Sequence, residues 1–224
     1  MQILDSIIKI CEENLDIENN WYSWKTINES KLPEGIVLPN GNQYVKNISL
    51  KELLHSKWKN ELDLNEKGKF IEYYIKTWGS IKGNNQKTMG DYKSLSANVL
   101  IEKGKKGIAS WSKALVIHNP KLYAIFDARV SCSLNSLQII DSVESKYLFP
   151  ILSSQNNTIT KANIVLKRIS KVENWKIANE YNFYEEYLTL LKKSSSLLNT
   201  DISTVEMLLF AKAEELIDKA LVLN

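Results

Sequence analysis

The stretch from residue 104 to residue 130, GKKGIASWSKALVIHNPKLYAIFDARV, constrains the fold of this chain more than any other segment. Its small and glycine residues at 104–109 predict a tight turn, because glycine tolerates backbone angles that other residues avoid. Ser110 is predicted to begin a helix that ends at Asn119-Pro120, since proline cannot continue it. After a short apolar connector, Asp127 is predicted to cap a further helix at about 128–138.

Apolar residues recur at helical spacing through most of the chain, which predicts an all-α fold. The predicted helices cover residues 3–15, 70–78, 91–103 (with Asp91 as the cap), 161–170 and 178–193. Capping-box patterns at Ser49–Glu52 and Ser203–Glu206 predict two more helix starts. The segments 27–48, 79–90 and 153–160 are predicted loops, and residues 36–46 are candidates for small irregular strands.

The cysteines and histidines of the chain, two of each, are isolated from one another along the sequence. No CxxC pair or HExxH motif occurs, so neither a disulfide framework nor a zinc site is expected. No apolar run approaches the roughly 20 residues that span a bilayer. The N-terminus is acidic and lacks the basic start of a secretory signal. We therefore expect a cytoplasmic protein that needs no metal, no cofactor and no membrane.

Positive charge is concentrated in one part of a nearly neutral chain. Residues 82–121 hold eight lysines against Asp91 and Glu102, a net charge of +6, whereas the whole chain carries +3. A local basic patch of this kind is typical of a surface that contacts the phosphate backbone of DNA. A solvated loop in a lysine-rich protein is the alternative interpretation.

The segment Gly107-Ile108-Ala109-Ser110 resembles the helix-hairpin-helix motif of the DNA glycosylase superfamily, which includes 8-oxoguanine, adenine and 3-methyladenine glycosylases. The family's hairpin reads apolar-Pro-Gly-apolar-Gly-x-Lys, and here alanine replaces the second glycine. Lys113 resembles the catalytic lysine of the family, and Asp127 resembles its catalytic aspartate. The patterns Trp111-Ser112-Lys113 and Tyr123–Val130 are similar to a variant subgroup of bacterial proteins that resemble 8-oxoguanine glycosylase.

This resemblance covers roughly residues 90–138 and implies a fold, a partner and a set of site residues. It implies a single glycosylase-like unit over 1–224, with two helical lobes around a basic cleft and the helix-hairpin-helix and catalytic segment at about 91–138. The partner would be double-stranded DNA, bound by a monomer. The residues expected to contact DNA are Gly104, Lys105, Lys106, Gly107, Ile108, Ala109, Ser110, Ser112 and Arg129.

The implied chemistry is the removal of a base that has been flipped out of the DNA stack. Asp127 would stabilise the positive charge that develops on the sugar. Lys113 would attack the sugar carbon as a neutral amine, or orient a water molecule in a monofunctional enzyme. We take Lys113 to lie in the first turn of its helix, where the helix dipole disfavours a cation.

Several assignments have alternatives. An ungapped alignment of the hairpin puts Trp111 at the place of the family's lysine, as in the monofunctional 3-methyladenine branch. Trp111, Trp21 and Trp24 are candidates for a base pocket, with packing in the core as the alternative for the last two. Arg129 would steer a phosphate or form a structural salt bridge. In this superfamily the hairpin often holds a cation through its carbonyls, which leaves 104–109 as a candidate cation site.

The sequence leaves the excised base open. Oxidised guanine is the usual association of the family, and a hypermodified base of invading phage DNA is the second candidate, with a role in defence. Two other classes of function compete with the glycosylase: a non-catalytic helical DNA-binding module and a protein-interaction domain without salt-dependent affinity for DNA.

Overall fold

The computed structural model describes residues 1–16, 20–24 and 26–223, and these residues confirm the predicted all-α class. The helices are α1 Ile3–Asn14, α2 Gln43–Asn60, α3 Leu64–Glu72, α4 Gln86–Ser94, α5 Ala97–Ile101, α6 Ile108–His118, α7 Ala128–Ile140, α8 Asn157–Val172, α9 Phe183–Leu197, α10 Ile202–Ala211 and α11 Ala213–Val222. A 3₁₀ turn covers Glu29–Lys31, and a π-helical segment covers Tyr73–Trp78. Strands β1 (Tyr147–Leu148) and β2 (Lys176–Ile177) form one short parallel pair.

The chain divides into two compact units. The terminal unit comprises Met1–Ile17 and Phe126–Asn224, and the central unit comprises Glu18–Ile125. The terminal unit therefore holds α1, α7–α11 and both strands, and the central unit holds α2–α6. Lys113 belongs to the central unit and Asp127 to the terminal unit. No helix in the described ranges is both long enough and apolar enough to cross a membrane.

Helix α7 forms the centre of the terminal unit and packs against α1, α8, α10 and α11. It is buried along almost its whole length, although many of its residues are polar. Two of these side chains hydrogen-bond extended backbone: Asn135 pairs with both the amide and the carbonyl of Phe149, and Gln138 does the same with Tyr147. Buried amides are stable only when they are paired in this way, so these bonds fix β1 and the residue that follows it.

Helix α6 has the corresponding place in the central unit, where it packs against α2, α3, α4, α5 and the π-helical segment. Nine of its eleven residues are buried, among them Leu115 and Ile117. From α2, Leu50 and Leu54 are fully buried one helical turn apart, which is the spacing of a core-facing stripe. The helix that follows the predicted turn is thus the core helix of its unit.

The predicted boundaries of the helices around residues 50 and 91–103 are wrong. Helix α2 begins at Gln43, within the predicted loop 27–48, because the side chain of Asn42 accepts a hydrogen bond from the amide of Val45. The Ser49–Glu52 pattern therefore lies inside a helix. The predicted helix 91–103 is instead two helices, since α4 begins after Asn85 and ends at Ser94. Asp91 caps neither of them and pairs with Lys103.

Smaller differences concern strands and later helix starts. In the described part of the chain, residues 36–46 contain no strand. Helix α8 begins at Asn157, where Asn156 caps it, rather than at about 161. Helix α10 begins at Ile202, so the Ser203–Glu206 capping box lies inside it.

Candidate functional site

The hairpin turn between α5 and α6 depends on glycine. Gly104 and Gly107 have φ angles of 57° and 74°, in the left-handed region that other residues rarely adopt. A Cβ atom on Gly107 would lie 2.3 Å from the hydroxyl oxygen of Tyr92. Both the backbone angle and the contact with Tyr92 therefore require glycine at position 107. Helix α6 begins at Ile108, two residues before the predicted start at Ser110.

The backbone amides of the turn point to what it can bind. The residues 105–107 are exposed, Ala109 is half-buried, and Gly104 and Ile108 are buried. In the described part of the chain, no acceptor bonds the amides of Lys105, Lys106, Gly107 and Ala109. Unpaired amides at a helix N-terminus, together with the positive end of the helix dipole, favour an anion such as phosphate.

The buried side chain of Trp111 stabilises the turn by hydrogen bonds. Its indole Nε1–H donates to the carbonyl oxygens of Gly104, at 3.2 Å, and Lys106, at 3.1 Å. Its side chain is fully buried, so it has no exposed face on which a flipped base could stack. The two carbonyls that it contacts are among those that a cation at 104–109 would need. The structure therefore gives Trp111 a role in the geometry of the hairpin.

Lys113 is a buried lysine, 4% exposed, and it lies in the second turn of α6 rather than in the first. Because α6 begins earlier than predicted, the positive end of the helix dipole acts less strongly on Lys113 than its predicted place in the first turn implied. The Nζ atom nevertheless reaches back towards the hairpin and donates to the carbonyl of Ala109 at 2.8 Å. Its aliphatic stem packs on Gly79, where a Cβ atom would lie 2.9 Å from Cε of Lys113.

The two serines assigned to DNA contact are both buried in the central unit. Ser110 accepts a hydrogen bond from the side-chain amide of Asn84 at 2.9 Å. The hydroxyl of Ser112 donates to the carbonyl of Ile108 at 2.6 Å, and the residue is fully buried. Ser112 is therefore part of the interior of α6 and presents no surface to a DNA strand.

Asp127 is the N-cap of α7, as its position in the sequence predicts. Its Oδ1 atom accepts hydrogen bonds from the amides of Arg129, at 2.9 Å, and Val130, at 3.2 Å. The residue is half-buried, and no donor among the described residues bonds its second oxygen, Oδ2. The cap fixes the orientation of the carboxylate and leaves one oxygen to interact with a ligand.

Arg129 makes a structural salt bridge, which is the alternative interpretation of this residue. Its Nε–H donates to the carbonyl of Phe210 at 2.9 Å, and its NH1 group lies 2.6 Å from the Glu214 carboxylate. The guanidinium also lies over the Phe210 ring, and the side chain is 7% exposed. Arg129 thus joins α7 to α10 and α11 and is directed into the terminal unit.

Trp21 and Trp24 belong to the central unit, before α2. The ring of Trp21 packs on those of Tyr22 and Tyr44, with centroids 5.7 Å and 5.2 Å apart. Trp24 is 37% exposed. Trp21 is thus part of an aromatic cluster, which agrees with a packing role.

Three residues that shape the hairpin and Lys113 were not predicted from the sequence. They are Tyr92, which contacts Gly107; Asn84, which bonds Ser110; and Gly79, which carries the stem of Lys113. All three precede the hairpin by more than ten residues, and only the packing of α4 and the π-helical segment against α6 brings them there. No local spacing in the sequence signals such contacts.

Searches against protein-family models, curated proteins and solved structures find no match to this chain.

Proposed function

We propose that this protein binds double-stranded DNA through the hairpin at 104–109 and excises a damaged or modified base. One observation supports the proposal above the others. Four turn amides without an acceptor, those of Lys105, Lys106, Gly107 and Ala109, lie beside two exposed lysine side chains at the start of a buried helix. Such a turn suits a DNA phosphate, because amides and lysines bind the backbone without reading its sequence.

The chemical step assigned to Asp127 follows from the charge that develops during base removal. When the bond between C1′ and the base nitrogen breaks, the electron pair leaves with the base and the sugar becomes positively charged. A carboxylate oriented by its cap, with one oxygen unbonded, suits the stabilisation of that charge. A water molecule then adds to C1′, and its proton is transferred to the departing base, which leaves an abasic site.

Lys113 is the candidate for a covalent step. Its amine would add to C1′ in place of water and pass one proton to the departing base. The C1′–O4′ bond would then break, with its electron pair and the second amine proton going to O4′, and the resulting imine would allow cleavage of the DNA strand by elimination of the 3′ phosphate. Burial of the amine and its hydrogen bond to the neutral carbonyl of Ala109 support this assignment, and a lysine that only supports the hairpin is the alternative.

The first experiment measures the release of bases. The protein is incubated with a duplex that contains 8-oxoguanine and, separately, with phage DNA that carries hypermodified bases, and free base is detected by mass spectrometry. Release from one substrate and not the other identifies the class of base. If neither substrate releases a base while DNA still binds in a salt-dependent manner, the protein is a non-catalytic DNA-binding module.

The second experiment tests Lys113 by reduction with borohydride, which traps an imine between protein and DNA. A trapped adduct should form with the wild-type protein and with Lys87→Gln, which changes an exposed lysine on α4. It should be absent from Lys113→Gln. Circular dichroism checks that the Lys113 variant is folded, and retention of base release without trapping would make the enzyme monofunctional.

A further inference from the structure

A pocket lies wholly within the central unit, at the end of α6 that is far from the hairpin. It measures about 870 Å³ and is lined by residues of α2, α3, α4, the start of α5 and the last residue of α6. This volume is in the range of pockets that hold small organic ligands. The polar and aromatic groups that define it are Trp58, Lys67, Lys69, Glu72, Lys93 and His118.

The pocket carries a surplus of positive charge. Among the described residues that line it, Glu72 is the only acidic one, and it is paired with Lys76 and Lys93. Lys69 pairs with Glu66 outside the pocket. Lys67 has no carboxylate partner within the described ranges, and its Nζ atom lies 4.3 Å from the centre of the Trp58 ring. One lysine of the pocket is thus available to an anion.

Two further groups in the pocket lack hydrogen-bond partners. The indole N–H of Trp58 is buried and bonds no described acceptor. Trp58 stacks on His118, with ring centroids 4.5 Å apart, and no described residue bonds the ring nitrogens of His118. A buried donor without an acceptor is unfavourable.

The protonation of His118 is sensitive to this environment. Burial, followed by the positive charges of Lys67 and His55, lowers the pKa of His118 to about 4. His55 itself is held by the carbonyl of Ile117 at 3.0 Å. An anion beside Lys67 would offset the positive charge that acts on His118, so the imidazole reports on occupancy of the pocket.

We infer that this pocket binds a phosphate group of a nucleotide or of a nucleic-acid strand, through the Lys67 ammonium beside the stacked rings of Trp58 and His118. Phosphate fits because it carries several acceptor oxygens and pairs with lysine as a point charge. The site is separate from the hairpin, because the two ends of α6 lie about 15 Å apart at a rise of 1.5 Å per residue. It is therefore independent of the proposed excision of bases.

The test uses nuclear magnetic resonance of the full chain, with the Trp58 indole and the two histidine rings as probes. Inorganic phosphate, a deoxynucleoside 5′-monophosphate and a short DNA duplex are titrated separately at ionic strength matched with chloride. We expect a saturable shift of the Trp58 indole signal with inorganic phosphate and a rise of about one unit in the pKa of His118. Tighter binding of the mononucleotide or of the duplex identifies the source of the phosphate.

Two variants decide whether the effect belongs to the pocket. Lys67→Gln should weaken phosphate binding by about tenfold or more, because it removes a charge-assisted hydrogen bond. Lys87→Gln removes an exposed lysine from α4 outside the pocket and should leave binding unchanged. The inference fails if phosphate shifts neither the Trp58 indole signal nor the pKa of His118. It also fails if both variants bind phosphate with the affinity of the wild type.

Discussion

Helix α6 begins at a left-handed glycine, whereas α7 begins at an aspartate whose carboxylate occupies the first amides of its own helix. Both helices are buried at the centre of their units. Helix α6 follows the glycine turn, and α7 follows a short apolar connector. At α6 four turn amides have no acceptor among the described residues, while at α7 Asp127 Oδ1 accepts two amides. One helix start is open to an external anion, and the other is closed by an internal one.

In the proposed function, the start of α6 binds DNA and the start of α7 supplies the carboxylate for the chemical step. The open start of α6 suits a phosphate, because it offers donors and the positive end of a helix dipole. The closed start of α7 rejects a phosphate, because Asp127 already supplies the negative charge there. The same cap holds that carboxylate in a fixed orientation, which suits the stabilisation of a positively charged sugar.

The largest expected effect is that of Gly107→Ala at the open start of α6. The added Cβ would meet the hydroxyl of Tyr92 at 2.3 Å and force an unfavourable left-handed angle, so we expect a loss of about 2–4 kcal/mol in the free energy of unfolding. The matched control is Gly90→Ala in α4, where an added Cβ meets nothing within 4 Å. That variant should be neutral or more stable in urea unfolding. Equal stability of the two variants would contradict the account of the turn.

The next effect concerns the other end of α6, where the folded chain lowers the pKa of His118 from 6.5 to about 4. The unfolded chain binds this proton more readily, so the contribution is fully present above pH 6.5 and is lost as the pH falls to about 4. We expect a loss of about 2–3 kcal/mol over that window. Urea unfolding of the wild type and of His118→Gln at both ends of the window measures it. A wild-type pH dependence that His118→Gln leaves unchanged would exclude His118 as the cause.

A smaller effect is expected from the charges beside the turn amides. The double variant Lys105→Gln, Lys106→Gln should weaken DNA binding by about tenfold and reduce the slope of log affinity against log salt by about two. The matched control replaces the exposed pair Lys192 and Lys193 on α9 with glutamine. Fluorescence anisotropy at several salt concentrations measures both quantities. An equal loss in the two double variants would show that the lysines act only through net charge.

The smallest effect tests the closed start of α7. Asp127→Ala removes the acceptor for two amides and should cost about 1 kcal/mol, whereas Asp127→Asn keeps a capping oxygen and should cost only a few tenths. Thermal unfolding of the two variants beside the wild type measures the difference. Equal stability of the alanine and asparagine variants would mean that the cap contributes nothing measurable.

The sequence predicts the start of α7 and places the start of α6 within two residues, because the causes are local. The glycines at 104 and 107 and the cap at Asp127 act on residues within a few positions of themselves. Local signals also mislead, as at Ser49–Glu52, where a capping-box pattern lies inside α2 because the chain enters the helix at Asn42. A pattern of four residues cannot show which of two nearby caps the folded unit uses.

Short sequence patterns do not predict contacts between segments that are distant along the chain. The indole of Trp111 could be assigned to a base pocket from its place in the motif, but only the folded turn shows that it bonds two hairpin carbonyls. The stacked pair of Trp58 and His118 joins residues from α2 and α6 that no spacing relates. Tertiary packing therefore creates the pocket, while local chemistry creates the hairpin and the cap.

The most direct test of the central claim compares the release of bases by the wild type and by Asp127→Asn on a DNA substrate that the wild type processes. The measurement is made under single-turnover conditions, with DNA affinity determined in parallel. The account predicts unchanged DNA binding and a fall of at least about a hundredfold in release, because the charge that stabilises the sugar is lost while the cap is kept. Full release by Asp127→Asn would contradict it.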